Sequence, residues 1–288
     1  MLQCIITGLL LGGLYSMIGI GMSLVFGIMG LTNLAHGDLM ILGTYITLVI
    51  TRAAGVPLLV SAIVSILVMC VLGFVIQNFL VNRVMDKGEA PALLVTFGVS
   101  IFLSNLMLLI FGADNQSIPN TLATKNVITS QYLSISASYL LSFIIAIVII
   151  VGLNVMMQKT NFGRSIRATS DDAMAAELMG VNTKLAYAAA MVICMGITAV
   201  AGTLVGSTYV FFPSSGTQYL IIAFGVVVIG GMGSLIGTLV GGIVLGLAQL
   251  IGGQIFGSGV QMLVAYIVLL VILALRPNGL FAASAVRK

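Results

Sequence analysis

The residues best placed to do chemistry stand in one short run, Thr32-Asn33-Leu34-Ala35-His36-Gly37-Asp38. It holds the only histidine of the chain and a carboxylate, with apolar residues 4–31 before it and 39–50 after it. An ionisable group at membrane depth is costly, and where one occurs it commonly marks a pathway or a relay. The second apolar run is short for a full span. A polar, glycine-containing break there suggests a discontinuous or re-entrant helix near 32–50, whose open ends could line a path. On that reading Asn33, His36 and Asp38, with Thr96 from a later apolar run, are candidates for polar lining or gating. The same run also fits a tight interfacial turn, with Asp38 capping the next helix and His36 facing headgroups, which avoids burying a charge. Both readings stay open on the sequence.

A second polar stretch, Lys159 to Lys184, lies between apolar runs 138–157 and 185–211 and carries Lys159, Arg164, Arg167 and Lys184. Inside it is a short helix signal. Thr169 or Ser170 can cap, and Asp171 and Asp172 in a first turn suit the helix dipole. Ala173 to Met179 are mostly strong helix formers, and Gly180 is a natural stop. A short capped helix slung between two spans is a candidate docking element. An ordinary positive loop with a helical turn reads the same way.

Other chemistries are absent. There is no G-x-x-x-x-G-K-[ST] phosphate loop, so ATP hydrolysis is not expected on this chain. One histidine and three scattered cysteines, Cys4, Cys70 and Cys194, offer no metal or disulfide spacing. No G-x-S-x-G turn is present, and no row of intramembrane carboxylates or arginines of the kind proton relays and voltage sensors use. A pore or carrier energised from outside the chain remains.

The elements that must position these residues are membrane helices. The chain is 60% hydrophobic and 6% charged, against roughly 25% charged in a soluble domain. This predicts an all-α polytopic integral membrane protein, one transmembrane domain over 1–288 with about eight or nine segments. The net charge of +4 sits at span ends and is not a nucleic-acid signal. The first thirty residues lack a basic n-region and read as a retained span. Gly8, Gly12 and Ser16 form a small-residue packing face, as do Gly237 with Gly241 and Gly242 with Gly246. Gly230-Gly231-Met232-Gly233-Ser234 breaks residues 219–250 into two segments. Basic residues assign loops 82–90 and 159–184 and the C-terminus to the cytoplasm, and every assignment agrees when the 231–233 break is treated as a cytoplasmic turn. The stretches 52–57, 113–137, 212–217 and 252–258 fall outside; 113–137 is the long external loop, with turn chemistry and little charge, and Phe212-Pro213-Ser214-Ser215-Gly216 reads as a turn. The N-terminus lies outside if 39–50 crosses and inside if it re-enters.

Several stretches together are similar to one family. They are Gly13-Leu14-Tyr15 through Asp38, Gly88-Glu89-Ala90-Pro91 through Thr96-Phe97-Gly98-Val99-Ser100, Gly225 through Gly237, and the closing Arg276-Pro277-Asn278-Gly279-Leu280-Phe281. In order and spacing the chain resembles the permease subunit of bacterial branched-chain amino acid ABC transporters. The resemblance implies an inner-membrane importer subunit for leucine, isoleucine and valine, without a cofactor of its own. It implies two ATP-binding subunits, a second related permease and an external substrate-binding protein as partners. It also implies an ATPase-coupling role for a helix of pattern Glu-Ala-Ala-x-x-x-Gly. Met174-Ala175-Ala176-Glu177-Leu178-Met179-Gly180 is similar, with Met174 in place of the first Glu. Asp171, Asp172, Ala175, Ala176, Glu177 and Gly180 are its candidate coupling residues. Permeases with similar motifs serve urea, short amides or sugars, and an autonomous channel or ion-coupled carrier is the rival of another class.

Overall fold

The computed structural model describes residues 1–120, 126–130 and 133–281. Helices α1 (Leu2–Met29), α2 (His36–Ala54), α3 (Leu58–Phe79) and α4 (Glu89–Phe111) precede a hairpin of β1 (Asn126–Ser130) and β2 (Leu133–Ser136). Then come α5 (Ala137–Lys159), α6 (Asn161–Asp171), α7 (Ala173–Leu178), α8 (Thr183–Thr208), α9 (Gly216–Gly230), α10 (Leu235–Phe256) and α11 (Gln261–Leu275). Among the described residues, nine helical segments are long and apolar enough to cross a membrane.

Helices α1 and α8 are apolar on every side and are buried along most of their length, as an all-round hydrophobic helix must be. Helices α3, α4, α5 and α11 turn most of their surface outward. The small-residue faces expected from the sequence meet one another. A β-carbon on Gly12 would clash with the Ile243 backbone, and one on Gly246 would stand 2.6 Å from the Gly12 nitrogen and the Gly8 carbonyl. Ser16 donates to the carbonyls of Gly12 (2.7 Å) and Leu239 (3.2 Å), so its hydroxyl is satisfied inside this contact. Gly230 and Gly237 touch at the 231–234 break, as the interrupted pattern requires.

The bundle has two distinct ends. Gly27 meets Gly233, Ser170 donates to the Gly27 carbonyl, and residues 280–281 pair with the end of α9 (Leu280 N to Ile229 O, 2.8 Å; Phe281 N to Gly230 O, 3.0 Å). The 82–90 stretch lies at this basic end too, because α3 runs antiparallel to α8, with Gly73 against Met195. At the opposite end Gln3 donates to the Ser134 carbonyl and Arg52 to the Gln116 side chain. The N-terminus and the far end of α2 therefore share the hairpin end.

Both halves follow one packing plan in opposite directions. Helix α1, an irregular run, α2 and α3 answer to α8, an irregular run, α9 and α10. Helix α1 packs on α10 as α8 packs on α3, and α9 lies on α1 as α2 lies on α8. Inverted repeats around broken helices are a recurrent transporter design.

Four local readings change or gain detail. Helix α2 starts at His36 and ends at Ala54, so the polar break is confined to residues 30–35 and the apolar 39–50 is only the middle of a 19-residue helix. The turn at 212–216 is present as a short 3-10 turn over Pro213–Ser215, with Pro213, Ser215 and Gly216 buried and Phe212 and Ser214 exposed. The cap of the 173–178 helix is Asp172, whose Oδ1 accepts from the Ala175 amide (3.0 Å). Thr169 and Ser170 belong instead to α6, which Thr160 caps by accepting from the Gly163 amide (3.0 Å). The spacing of Gly163, Ile166 and Thr169 puts three residues on one buried face, which favours a continuous helix there. The 113–137 stretch, expected as a long external loop, contains the antiparallel hairpin, with Ile128 opposite Ile135.

Candidate translocation centre and coupling surface

The four residues singled out for a path come together inside the bundle. His36 is 1% exposed, and its Nε2 donates to the carbonyl of Ile18 at 2.9 Å. Ile18 is eleven residues from the end of α1 at Met29, about 16 Å at 1.5 Å per residue, so His36 sits deep between the two ends. Its ring packs at Gly21, beside Cys194 and Thr198 of α8. Asn33 accepts from the Ala35 amide (3.0 Å) and steadies the turn into α2. Thr96 of α4 accepts from the Leu34 amide (3.3 Å), satisfying a backbone donor of the irregular run. Such backbone survives at membrane depth only when protein surrounds it. Both His36 and Asn33 are buried within the protein.

Asp38 does not cap its own helix. Its Oδ2 accepts from the Ser100 hydroxyl of α4 at 2.5 Å. A β-carbon on Gly216 would run into its Oδ1, and one on Gly37 into the Gly216 carbonyl. The first turns of α2 and α9 thus cross in contact. Tyr45 meets Phe211 with ring centroids 5.1 Å apart. Asp38 lies seven residues before Tyr45, about 10 Å further inside. Helix α9 therefore starts deep in the bundle, as α2 does. The Asp38 carboxylate stands in the first turn of α2 and against the first residue of α9, where two helix dipoles present their positive ends. That placement offsets part of the cost of a charge far from water.

Sequence reasoning missed Ser100, Gly37 and Gly216. Thr96 and Ser100 are four apart on one helix face, a spacing that could have linked them. Nothing near Gly216 in the chain signals its distant partner. The run before α9 is pinned from the hairpin side: Gln116 and Phe211 exchange backbone hydrogen bonds (2.8 and 2.9 Å), and the Ile118 amide donates to the Gly206 carbonyl (2.9 Å).

On the hairpin side of this centre lies a cavity of about 470 Å³. Leu14, Ile18, Ile222 and Met262 give it apolar walls. Tyr15, held by a hydrogen bond to Gln249, and Tyr209, bonded to Tyr139 (2.8 Å), give it polar ones. Tyr219, in the first turns of α9, is 7% exposed and its hydroxyl has no partner among the described residues.

At the basic end α7 stands out from the bundle. Met174, Leu178 and Met179 are 77%, 84% and 85% exposed, an apolar patch on a polar surface. Of the candidate coupling residues, Ala175, Glu177 and Gly180 are exposed, as are Asp171 and Asp172. Ala176 is buried and anchors the helix, and Glu177 is tied to Thr183, which donates to its carboxylate. Gly180 takes φ +86° and ends the element. The exposed Met and Leu side chains went unnoticed in the sequence because helix formers carry no sign of which face is left open.

Broken helices inside a bundle of membrane-length helices, crossing at a buried polar centre, are the architecture of a polytopic membrane permease. The chain belongs to the family described as branched-chain amino acid transport system / permease component, whose profile matches residues 4–273. It is 32% identical to the high-affinity branched-chain amino acid transport system permease protein BraD of Pseudomonas aeruginosa, over 100% of this chain and 97% of that protein. It is 30% identical to LivH of Escherichia coli K12, a permease protein described in the same terms, with the same coverage. The solved structure of PsaBC from Streptococcus pneumoniae in complex with Fab shares the fold, with TM-score 0.51 and 12% identity over 96% of this chain and 91% of that one. Family members are transport permeases rather than enzymes.

Proposed function

We propose that this chain, as one permease domain over 1–288, is the membrane-spanning subunit of an ABC importer for leucine, isoleucine and valine in the bacterial inner membrane. The observation that carries the reading is the crossing of α2 and α9, with Asn33, His36, Asp38 and Thr96 gathered around it. Full-length similarity to BraD and LivH supports the cargo class.

The path follows α1. Cargo enters the cavity beside Leu14, Tyr15 and Ile18, passes the polar centre at the level of Ile18 and Gly21, and leaves through a crevice beside Ser23 and Ile28. The apolar walls suit an aliphatic side chain, while neutral phenol and amide groups meet the polar head. The four polar residues act as a gate rather than an open lining, because each is buried where the broken helices begin.

ATP is hydrolysed by two separate cytoplasmic subunits, which dock on α7 and its flanks: Asp171, Asp172, Ala175, Ala176, Glu177 and Gly180, with Met174, Leu178 and Met179 as the apolar contacts. A short rigid element in a cleft of a closing partner passes that closure to the spans on either side. A second related permease completes the path, an external binding protein delivers substrate at the hairpin end, and lipid surrounds the outward helices.

The test is uptake of labelled leucine by proteoliposomes holding the purified complex, with binding protein outside and ATP inside, competed by valine, urea and ribose. ATP-dependent uptake that valine competes for and urea and ribose do not is the expected result. Uptake by the chain alone without ATP would overturn the reading in favour of an autonomous carrier.

A further inference from the structure

A crevice of about 410 Å³ opens at the basic end between α1, α5, α6 and the start of α10. Its walls hold Arg167 and Asp171, one turn apart on α6, and the aliphatic side chains of Leu24, Ile28 and Ile236. Neither Arg167 nor Asp171 has an ion-pair or hydrogen-bond partner among the described residues. At the inner wall the Ser23 hydroxyl is fully buried and has no hydrogen-bond partner. A buried hydroxyl left unmatched is costly, and a few such groups in a structure call for an unseen partner. The first turn of α10 faces the same space. Ser234 accepts from the Gly237 amide (3.0 Å), which leaves the amides of Leu235 and Ile236 directed outward at the positive end of a 22-residue helix.

The pattern is complementary to one chemistry. A carboxylate fits the Arg167 guanidinium and the α10 amides, an ammonium fits Asp171, and an aliphatic chain fits the apolar wall, with the unmatched Ser23 hydroxyl just behind it. We propose that this crevice binds a free aliphatic α-amino acid from the basic side, and that its occupancy slows transport by tying α6 to α1 and α10. Helix α6 leads directly into α7, so a ligand bridging these elements restrains the coupling surface. The inference rests on the transport reading above, with the accumulated product acting from the exit.

The test uses the assembled complex in proteoliposomes, loaded with ATP and with or without unlabelled leucine, and reads the loaded-to-unloaded ratio of initial uptake within each variant. Internal leucine is expected to lower the ratio several-fold for the native chain and to leave it near one for Arg167→Gln. An unchanged ratio for the native chain, or equal inhibition in Arg167→Gln, overturns the proposal. Equilibrium dialysis of labelled leucine against the purified chain separates the site from the function. Loss of the charged contact in Arg167→Gln should weaken binding about tenfold, and isovalerate, which lacks the ammonium, should compete poorly. If unloaded vesicles take up no leucine the transport reading falls, and dialysis alone decides the site: binding unchanged in Arg167→Gln, or equal competition by isovalerate, overturns it.

Discussion

Gly37 and Gly216 are neighbours across the fold, and no larger residue fits at either position. A β-carbon on Gly37 would run into the Gly216 carbonyl, and one on Gly216 into the Asp38 carboxylate. The contact lets two helices begin in the same small volume, and the polar centre depends on it.

Gly37→Ala and Gly216→Ala should each destabilise the chain by about 1–3 kcal/mol, the usual cost of overpacking. Gly152→Ala, where a β-carbon meets nothing within 4 Å, should be neutral or stabilise by up to about 1 kcal/mol through helix propensity. Thermal unfolding of the detergent-purified protein, followed by size-exclusion, reads all three. Equal midpoints for the three variants would show that the crossing is looser than described.

Ser100→Ala removes the hydroxyl that donates to Asp38 and should cost about 1.5–3 kcal/mol, the range for a hydrogen bond to a charged group. Asp38→Asn keeps the shape and an acceptor and should be milder than Asp38→Ala, which also leaves Ser100 unmatched. Asp38→Glu should not rescue uptake, since Gly216 leaves no room for a longer side chain. Initial uptake rates beside unfolding midpoints distinguish a gating role from a purely structural one. Native uptake in Asp38→Ala would discard the gate.

Leu178→Asp or Met174→Asp should loosen the ATPase subunits at least tenfold while leaving the chain folded, because both side chains project from the surface and a buried interface anchor is worth about 2 kcal/mol or more. Ala176→Arg should instead disturb the seating of α7 on the bundle, since Ala176 is buried. Co-purification in mild detergent, with unfolding midpoints alongside, separates these outcomes. ATPase recovery unchanged in the Asp variants would move the docking surface elsewhere.

Tyr219→Phe deletes one hydroxyl from the cavity wall. If cargo touches it, KM for leucine should rise between about two- and tenfold, the worth of one neutral hydrogen bond. Uptake at varied leucine concentration measures it. An unaltered KM would take Tyr219 out of the path.

Much of this was legible in the sequence because it depends on periodicity and small residues. The spans, the break at 231–234, the small-residue packing faces of α1 and α10 and the assignment of loops to two ends all follow from local patterns, whereas the pairing of those two faces does not. Asn33, His36 and Asp38 were visible as polar residues in apolar surroundings. What was hidden depends on distant pairing. The dip of residues 209–215 is held by Gln116 and by the space Gly37 leaves, and neither is local. Ser100 looks like any helix hydroxyl until Asp38 is brought beside it. The position of Asp172 as a cap, rather than Thr169 or Ser170, turned on a buried face of α6 that four polar neighbours obscured.

The crossing of α2 and α9 also bears on how the protein is made. His36 and Gly216 are 180 residues apart in the chain, so at about 5–20 residues per second a ribosome needs on the order of 10–40 s to supply the second after the first. Helix α4 is supplied early in that interval, but until α9 follows the Asp38 carboxylate and the start of α2 lack the partner they meet at Gly216. Hydrocarbon offers such groups no substitute. The nascent N-terminal half must therefore wait in the insertion machinery or at the water interface, and the first four helices cannot finish folding in lipid before the last four arrive.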